Sequence, residues 1–183
     1  MEKNLIERDI EKNIKNWLFK GKIIILYGAR QVGKTTLAKK LLKEYGRPED
    51  YFNCEIASIR QALAKEDPVT LKKFLGDGRL IVLDEAQKVT NIGLILKLLL
   101  DTYPDMQIIA TGSSSFDLAN KINEPLTGRA LEFTIYPFSL HELKYFYKNY
   151  ETDGQLENLL VYGLYPDIVK SSLSEARQLL DNL

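Results

Sequence analysis

The sequence predicts an α/β fold in which a parallel β-sheet is covered by helices on both faces. Short apolar runs alternate along the chain with longer segments in which apolar residues recur at helical spacing. The runs are continuously apolar, as in "KIIILYG", which is typical of strands buried on both faces of a parallel sheet. Strands that alternate with helices favour this layered arrangement.

The first half of the chain contains two predicted strands, "KIIILYG" and "DYFNCE". Isoleucines spaced regularly among charged residues predict a helix before the first strand. A second helix ends at Gly46 and Pro48, and Pro68 separates two further helical stretches. The predicted helices cover residues 4–19, 34–45, 56–65 and 69–75.

The second half continues the alternation and then changes character. The predicted strands are "RLIVLDE", "MQIIATGSS" and "ALEFTIY", with helices over 92–103 and near 115–122. After Pro137 only helical patterns follow. We therefore predict a core over residues 1–138 and a small helical lid subdomain over 139–183. Because its last helical pattern has no stop signal, we expect the lid to be truncated.

Composition indicates a soluble globular protein. The chain has 183 residues, of which 45% are hydrophobic and 27% charged. No apolar run approaches the ~20 residues of a membrane helix, and the first twenty residues carry charges throughout. The single cysteine, Cys54, fits a reducing compartment and a buried position. We expect a cytoplasmic protein without a membrane partner.

The charge is balanced overall but uneven along the chain. The 25 basic and 25 acidic residues give a net charge of zero, whereas residues 1–47 carry twelve basic and five acidic residues, an excess of +7. A bound polyphosphate is one reason to concentrate positive charge there. Nucleic-acid binding is a weaker alternative that rests on the same excess.

A glycine-rich motif follows the first strand and opens a helix. It matches G-x-x-x-x-G-K-[ST], the Walker A pattern, in which backbone N–H groups surround a phosphate. Lys34 would reach the terminal phosphates, and Thr35 would offer a hydroxyl to Mg²⁺. The candidate phosphate-binding residues are Gly28, Ala29, Arg30, Gln31, Val32, Gly33, Lys34, Thr35 and Thr36.

Two adjacent acids, Asp84 and Glu85, end the strand "LIVLDE" in the manner of a Walker B motif. An aspartate at the carboxyl end of a parallel strand can hold Mg²⁺. An adjacent glutamate can orient and deprotonate an attacking water. The pair therefore predicts a metal ligand in Asp84 and a general base in Glu85.

Small polar residues end the strand "IIATGSSS". If this strand lies between those that carry Lys34 and Asp84, its hydroxyls point toward the terminal phosphate. Ser113 and Ser114, with Thr111, are the candidates for contacting phosphate or the attacking water. Turn formation and helix capping are the alternative explanation for these serines.

Arg129 lies in the loop "LTGR" just before the last strand. An arginine near a nucleotide can neutralise charge that develops on the transferred phosphoryl group. Two positions remain open for it as a catalytic residue: the nucleotide of its own subunit, or that of a neighbouring copy in a homo-oligomer. An ordinary surface arginine is the third alternative.

Four motifs in this order resemble the ATPase module of the prokaryotic AAA-type family. They are "GARQVGKTTL", "LIVLDEAQKV", "IIATGSSS" and "LTGRALEFTIYPFSLHEL". The resemblance runs from about residue 17 to residue 166, where "YGLYP" is similar to the signature of the family's helical lid.

The resemblance implies a P-loop NTPase three-layer fold with a five-stranded parallel sheet in the order 5-1-4-3-2. It implies ATP and Mg²⁺ as ligands, Glu85 as the catalytic base, and Ser113 or Ser114 as a sensor. Members usually carry a C-terminal domain similar to restriction endonucleases, which we expect to be missing here. That domain, or a separate protein partner, would receive the conformational change.

Three function classes follow from these residues. The first is an ATPase that couples hydrolysis to a conformational change. The second is a P-loop phosphotransferase, which usually needs an arginine-rich lid, whereas residues 139–183 contain only Arg177. The third is a module that binds nucleotide with little turnover. A GTPase is disfavoured because "NKIN" at 120–123 lacks the aspartate that reads guanine.

Overall fold

Five parallel strands form one sheet at the centre of the structure. The computed structural model describes residues 5–113, 125–146 and 157–180. The strands are β1 (Ile23–Tyr27), β2 (Tyr51–Asn53), β3 (Leu80–Asp84), β4 (Gln107–Gly112) and β5 (Ala130–Thr134). They lie in the order β2-β3-β4-β1-β5, and each neighbouring pair is parallel. The predicted α/β fold and the order 5-1-4-3-2 are therefore confirmed.

Helices connect the strands and continue after the last of them. They are α1 (Asp9–Trp17), α2 (Lys34–Tyr45), α3 (Ala57–Leu63), α4 (Pro68–Leu75), α5 (Ile92–Thr102), α6 (Leu140–Phe146), α7 (157–162), α8 (Pro166–Val169) and α9 (Leu173–Leu180). The helix predicted near 115–122 lies outside the described residues. Within the described ranges, no helix is both long and apolar enough to cross a bilayer.

The first residues of α4 and α1 differ from those predicted from the sequence. Pro68 is the first residue of α4, where a missing N–H costs nothing, and the Asp67 carboxylate accepts a 2.8 Å hydrogen bond from the Thr70 N–H. The first helix begins at Asp9 rather than near residue 4, because Arg8 is extended and its side chain bonds elsewhere.

Apolar side chains cover both faces of the sheet. All residues of β1 and β3 are buried. Ile23 and Ile25 face a cluster built with α4 and α5, whereas Ile24 and Leu26 face a cluster built with α1 and α2. Burial of each such side chain contributes about 1.5–3 kcal/mol. This two-sided burial holds the strands in register, with their carboxyl ends at one edge.

The helices after β5 pack against the segment that precedes α1. A small buried cluster joins the two regions, formed by Ile6, Phe138 and Leu143 with Leu159, Leu164 and Val169 packed against it. The Phe138 N–H also donates a 2.9 Å hydrogen bond to the Leu164 carbonyl oxygen. A lid subdomain over 139–183 stays a prediction.

Candidate functional site

A cavity of about 560 Å³ lies at the carboxyl edge of the sheet. The loop between β1 and α2, the end of β3, the segment before α1 and helix α8 contribute to its wall. The edge position follows from the parallel sheet, since β1 and β3 both end there. Lys34, Thr35, Asp84 and Glu85 all line this cavity.

The loop from Gly28 to Gly33 requires glycine at two positions. Gly28 has φ 151°, and a Cβ added there would collide with the carbonyl oxygen of Ile135. Gly33 has φ 98°, in the left-handed region, and caps the start of α2. Val32 is fully buried and anchors the loop, while Arg30 and Gln31 are exposed on the cavity wall.

Lys34 is the first residue of α2 and is only 5% exposed. Its Nζ donates hydrogen bonds to the carbonyl oxygens of Gly28 (2.8 Å) and Ala29 (2.6 Å). Burial lowers the pKa of Lys34 below its ordinary value, although Glu85 and Asp84 act in the opposite direction. The ammonium group is therefore held inside its own loop, beside the two acids.

Three hydroxyl groups converge on the carboxylate of Asp84. Thr35 Oγ1 lies 3.0 Å from both carboxylate oxygens, and Thr111 Oγ1 donates to Oδ1 at 2.5 Å. The hydroxyl of Tyr51 donates to Oδ2 at 2.6 Å. Burial first, and then the hydrogen bond to Asp84, raise the pKa of Tyr51, so this hydroxyl keeps its proton.

Glu85 follows Asp84 in a backbone conformation that is uncommon for glutamate, with φ 54°. Its N–H donates to Thr111 Oγ1 at 3.1 Å. Its Oε2 accepts a 2.5 Å hydrogen bond from the side-chain amide of Gln87, which also donates to Ser113 Oγ at 3.1 Å. Ser113 is thus connected to Glu85 through Gln87.

The predicted positions of the serines are only partly described. Ser113 lies at the end of β4 as expected, between β1 and β3 in the sheet. Its described hydrogen bond is to Gln87, so its predicted contact with phosphate stays a prediction. Ser114 lies outside the described residues.

Comparison with known proteins identifies the family. A family model described as "AAA domain" matches residues 20–144. The chain belongs to the AAA domain family. This match includes the phosphate loop, Asp84, Glu85 and Arg129, but begins after helix α1 and ends before helix α8.

Two curated relatives of this AAA domain are uncharacterized proteins. MJ1637 of Methanocaldococcus jannaschii is 29% identical over 168 residues, which are 86% of the chain and 34% of that protein. Rv2008c of Mycobacterium tuberculosis is 35% identical over 128 residues, which are 68% of the chain and 27% of that protein. The chain therefore spans about a third or less of the length of both relatives.

Two solved structures share the fold of this AAA domain. The Walker-type ATPase of Pyrococcus abyssi has a TM-score of 0.63 at 18% identity, over 98% of this chain and 72% of that one. The DNA polymerase III gamma subunit-related protein of Thermotoga maritima has a TM-score of 0.53 at 14% identity, over 93% and 58%. At such identities the likeness supports the fold alone.

Arg8 connects the phosphate loop of the AAA domain to helix α6. It is 9% exposed, and its guanidinium donates to the Glu142 carboxylate (2.9 Å) and to the carbonyl oxygens of Val32 (2.8 Å) and Tyr136 (2.5 Å). The guanidinium also lies 4.8 Å from the ring centroid of Phe138. One buried side chain therefore contacts the loop, the exit of β5 and the following helix.

Lys40, on α2, contacts a buried acid of α1. Its Nζ donates a 2.7 Å hydrogen bond to Glu11, which is almost fully buried, and Lys40 lines the cavity. Burial alone would raise the pKa of Glu11, but Lys40 and Lys15 outweigh it and hold that pKa below its ordinary value. The ion pair between Lys40 and Glu11 connects α1 to α2.

The structure does not place Arg129 at the nucleotide site of its own chain. Its carbonyl oxygen accepts from the Ile23 N–H at the start of β1, which is the edge of the sheet opposite the phosphate loop. Its guanidinium forms a 2.9 Å ion pair with Asp101 at the end of α5. A loop that precedes a parallel strand lies at the amino edge of the sheet. Arg129 therefore does not contact the nucleotide site of its own subunit, which was one of the two catalytic positions considered for it.

Sequence reasoning missed three residues of this site: Arg8, Tyr51 and Gln87. Gln87 stands two residues after Glu85, and this proximity to the acids was a usable signal. Tyr51 reaches Asp84 only because β2 pairs with β3. Arg8 is one of several charged residues in an amphipathic pattern, which contains no signal of its buried contacts.

Proposed function

We propose that this AAA domain binds ATP with Mg²⁺ in the cavity and hydrolyses the bond between the β- and γ-phosphates. The observation that carries the proposal is the convergence of Lys34, Asp84 and Glu85 on one cavity wall. These residues come from two strand ends that are separated in the sheet by β4. Family membership supports the same activity.

The loop suits a polyphosphate. Gly28 makes room for the carbonyl oxygen of Ile135, and Gly33 adopts a left-handed conformation that glycine favours. The loop would therefore present its backbone N–H groups to a phosphate. Helix α2 begins at Lys34 and adds the positive end of its dipole. Ala29, Arg30, Gln31, Val32 and Thr36 complete the proposed contact surface.

Thr35 and Asp84 suit Mg²⁺, because this cation prefers hydroxyl, carboxylate and water oxygens. The Thr35 hydroxyl and the Asp84 carboxylate are already within 3.0 Å of each other on the cavity wall. When bound there, Mg²⁺ would neutralise charge on the β- and γ-phosphates.

Glu85 is the proposed general base. It would accept a proton from a water molecule whose oxygen attacks the γ-phosphorus, while the bond to the bridging oxygen breaks and its electron pair leaves with ADP. Lys34 and the loop N–H groups would stabilise the charge on the phosphates. Gln87 already bonds Glu85 and Ser113, which supports a role for Ser113 in sensing phosphate.

Nucleotide binding would also reach the helices after β5. Phe138 from that region lines the cavity with Leu5 and Ile6, and these apolar side chains suit a base. Asp167 of α8 and Lys170, which directly follows α8, line it as well. We therefore include in the proposal a movement of residues 139–183 as a lid, coupled to hydrolysis.

The recipient of that movement is part of the proposal. The longer relatives contain residues beyond the matched region, so one candidate is a further domain of a longer protein and another is a separate protein partner. Arg129 could reach a nucleotide only in a neighbouring copy, in a homo-oligomer. The single buried Cys54 supports a cytoplasmic setting.

A binding module with little turnover is the second candidate. The position of Arg129 at the opposite edge favours it, because the isolated chain then lacks this catalytic cation. A phosphotransferase has no such observation in its favour.

Nucleotide binding and turnover by wild type and Glu85→Gln test the proposal. We expect wild type to bind Mg–ATP and hydrolyse it, and Glu85→Gln to retain the affinity but lose at least about 100-fold in kcat. Retained turnover in Glu85→Gln would rule out the assigned base. Tight Mg–ATP binding without wild-type turnover, also at high protein concentration, would favour the binding module. Acceptor-dependent ADP release with nucleosides or sugars would indicate a phosphotransferase.

A further inference from the structure

Tyr51 bonds the proposed metal-binding carboxylate from a neighbouring strand. It is the first residue of β2 and pairs with Val82 of β3, while Asp84 lies two residues further along. A diagonal neighbour at this spacing is within reach of a tyrosine side chain. The Tyr51 hydroxyl accordingly donates to Asp84 Oδ2 at 2.6 Å.

The tyrosine ring is held in place by two kinds of contact. It is half-buried and packs against the apolar cluster between the sheet and α2. The ammonium group of Lys39, on α2, lies 4.3 Å from the ring centroid. The hydroxyl therefore has a defined position, which a flexible polar side chain at the surface would not have.

The three hydroxyls on Asp84 have different positions. Thr35 lies with Asp84 on the cavity wall and contacts both carboxylate oxygens. Thr111 is fully buried and bonds Oδ1, whereas Tyr51 bonds Oδ2. Thr111 and Tyr51 thus restrain the two oxygens separately, and of the three hydroxyl residues Thr35 is the one that lines the cavity.

We propose that Tyr51 is a positioning residue that fixes the orientation of the Asp84 carboxylate toward Mg²⁺. This inference rests on the proposed function. Without the Tyr51 hydroxyl, Oδ2 loses one of its two hydrogen bonds and the carboxylate has more rotational freedom. The Mg²⁺-dependent part of nucleotide binding would weaken, whereas the phosphate loop would be unaffected.

Tyr51→Phe tests this inference because it removes only the hydroxyl and keeps the ring. Binding of a fluorescent ADP analogue is titrated in EDTA and then, at fixed nucleotide, against Mg²⁺. We expect the half-saturating Mg²⁺ concentration to rise about five- to tenfold in Tyr51→Phe, with the affinity in EDTA within about twofold of wild type. Tyr103→Phe, at the end of α5, is the matched control and should change neither value.

The outcomes separate this inference from the proposed function. An unchanged Mg²⁺ midpoint in Tyr51→Phe would overturn the positioning role, as would equal losses with and without Mg²⁺ accompanied by a lower Tm. Wild-type nucleotide binding without any Mg²⁺ effect would overturn it while leaving nucleotide binding intact. Absence of nucleotide binding by the wild type would overturn both the positioning role of Tyr51 and the proposed function.

Discussion

The hydroxyl of Thr35, in the first turn of α2, lies 3.0 Å from both carboxylate oxygens of Asp84 at the end of β3. These residues are 49 positions apart in the chain and are joined across β4. This contact within the chain already brings the phosphate loop and the acidic end of β3 together. Two oxygen donors suited to Mg²⁺ therefore share one wall.

Replacing Thr35 by valine should weaken Mg²⁺-dependent nucleotide binding. The change keeps the shape of the side chain and removes the proposed metal ligand, so we expect affinity in Mg²⁺ to fall about tenfold and affinity in EDTA to stay within about twofold. Titration of a fluorescent nucleotide measures both. Thr102→Val, at the exposed end of α5, is the control. Equal losses in both buffers would contradict the metal role.

Replacing Gln87 by methionine should slow hydrolysis without weakening binding. Methionine has a similar size but cannot donate the hydrogen bonds that Glu85 and Ser113 accept from Gln87. We expect kcat to fall about tenfold and nucleotide affinity to be unchanged. Steady-state kinetics and direct binding measure the two, with Gln61→Met as the exposed control. An unchanged kcat in Gln87→Met would show that Glu85 functions without the hydrogen bond from Gln87.

The buried ion pair between Arg8 and Glu142 should be strongly coupled. Their side chains are 9% and 5% exposed, so removing either charge leaves the other buried without its partner. We expect Arg8→Met and Glu142→Gln each to lower the free energy of unfolding by about 3 kcal/mol, and the double variant by clearly less than the sum. Urea denaturation measures all four proteins. Additive losses would mean that the pair is not a unit.

Replacing Gly28 by alanine should disrupt the phosphate loop. An added Cβ would collide with the carbonyl oxygen of Ile135, and the conformation is one that glycine favours. Gly21 is the matched control, since it has φ 64° but open space around an added Cβ. We expect a loss of at least about tenfold in nucleotide affinity for Gly28→Ala and none for Gly21→Ala. Comparable affinities in both variants would contradict the close approach of these backbones.

Stability above pH 9 should depend on Cys54. Burial raises the pKa of its thiol to about 12, whereas the unfolded chain ionises near pH 8.5. Between these values the folded state binds more protons than the unfolded state, so stability falls as pH rises. From pH 8 to pH 10 the stability of wild type relative to Cys54→Ala should fall by about 2 kcal/mol. A constant difference would indicate an accessible thiol.

The fold was predictable because each of its signals is local. Continuous apolar runs such as Ile23–Tyr27 are buried on both faces, and Gly46 and Pro68 mark helix boundaries. The sheet order came from the family resemblance, since pairing between distant strands leaves no trace in local periodicity. The phosphate loop and the acids were predictable for the same reason as the strands, because their residues are contiguous.

The rest of the site depends on contacts between distant segments. Arg8 reaches Glu142 across 134 positions, and Tyr51 reaches Asp84 across 33. For Arg129 the motif left several positions open, and a loop that precedes a parallel strand lies at the amino edge of the sheet. The sequence pattern already implied parallel strands. Strand direction alone therefore places Arg129 at the amino edge of the sheet, away from the phosphate loop of its own chain.

A binding titration of Mg–ATP into wild type and Lys34→Ala tests most directly whether the cavity is a nucleotide site. We expect saturable binding of one nucleotide per chain by the wild type. We expect at least about a 100-fold weaker affinity in Lys34→Ala, whose circular dichroism spectrum should match that of the wild type. A folded wild type without saturable binding, or equal affinity in Lys34→Ala, would contradict a nucleotide site in this cavity.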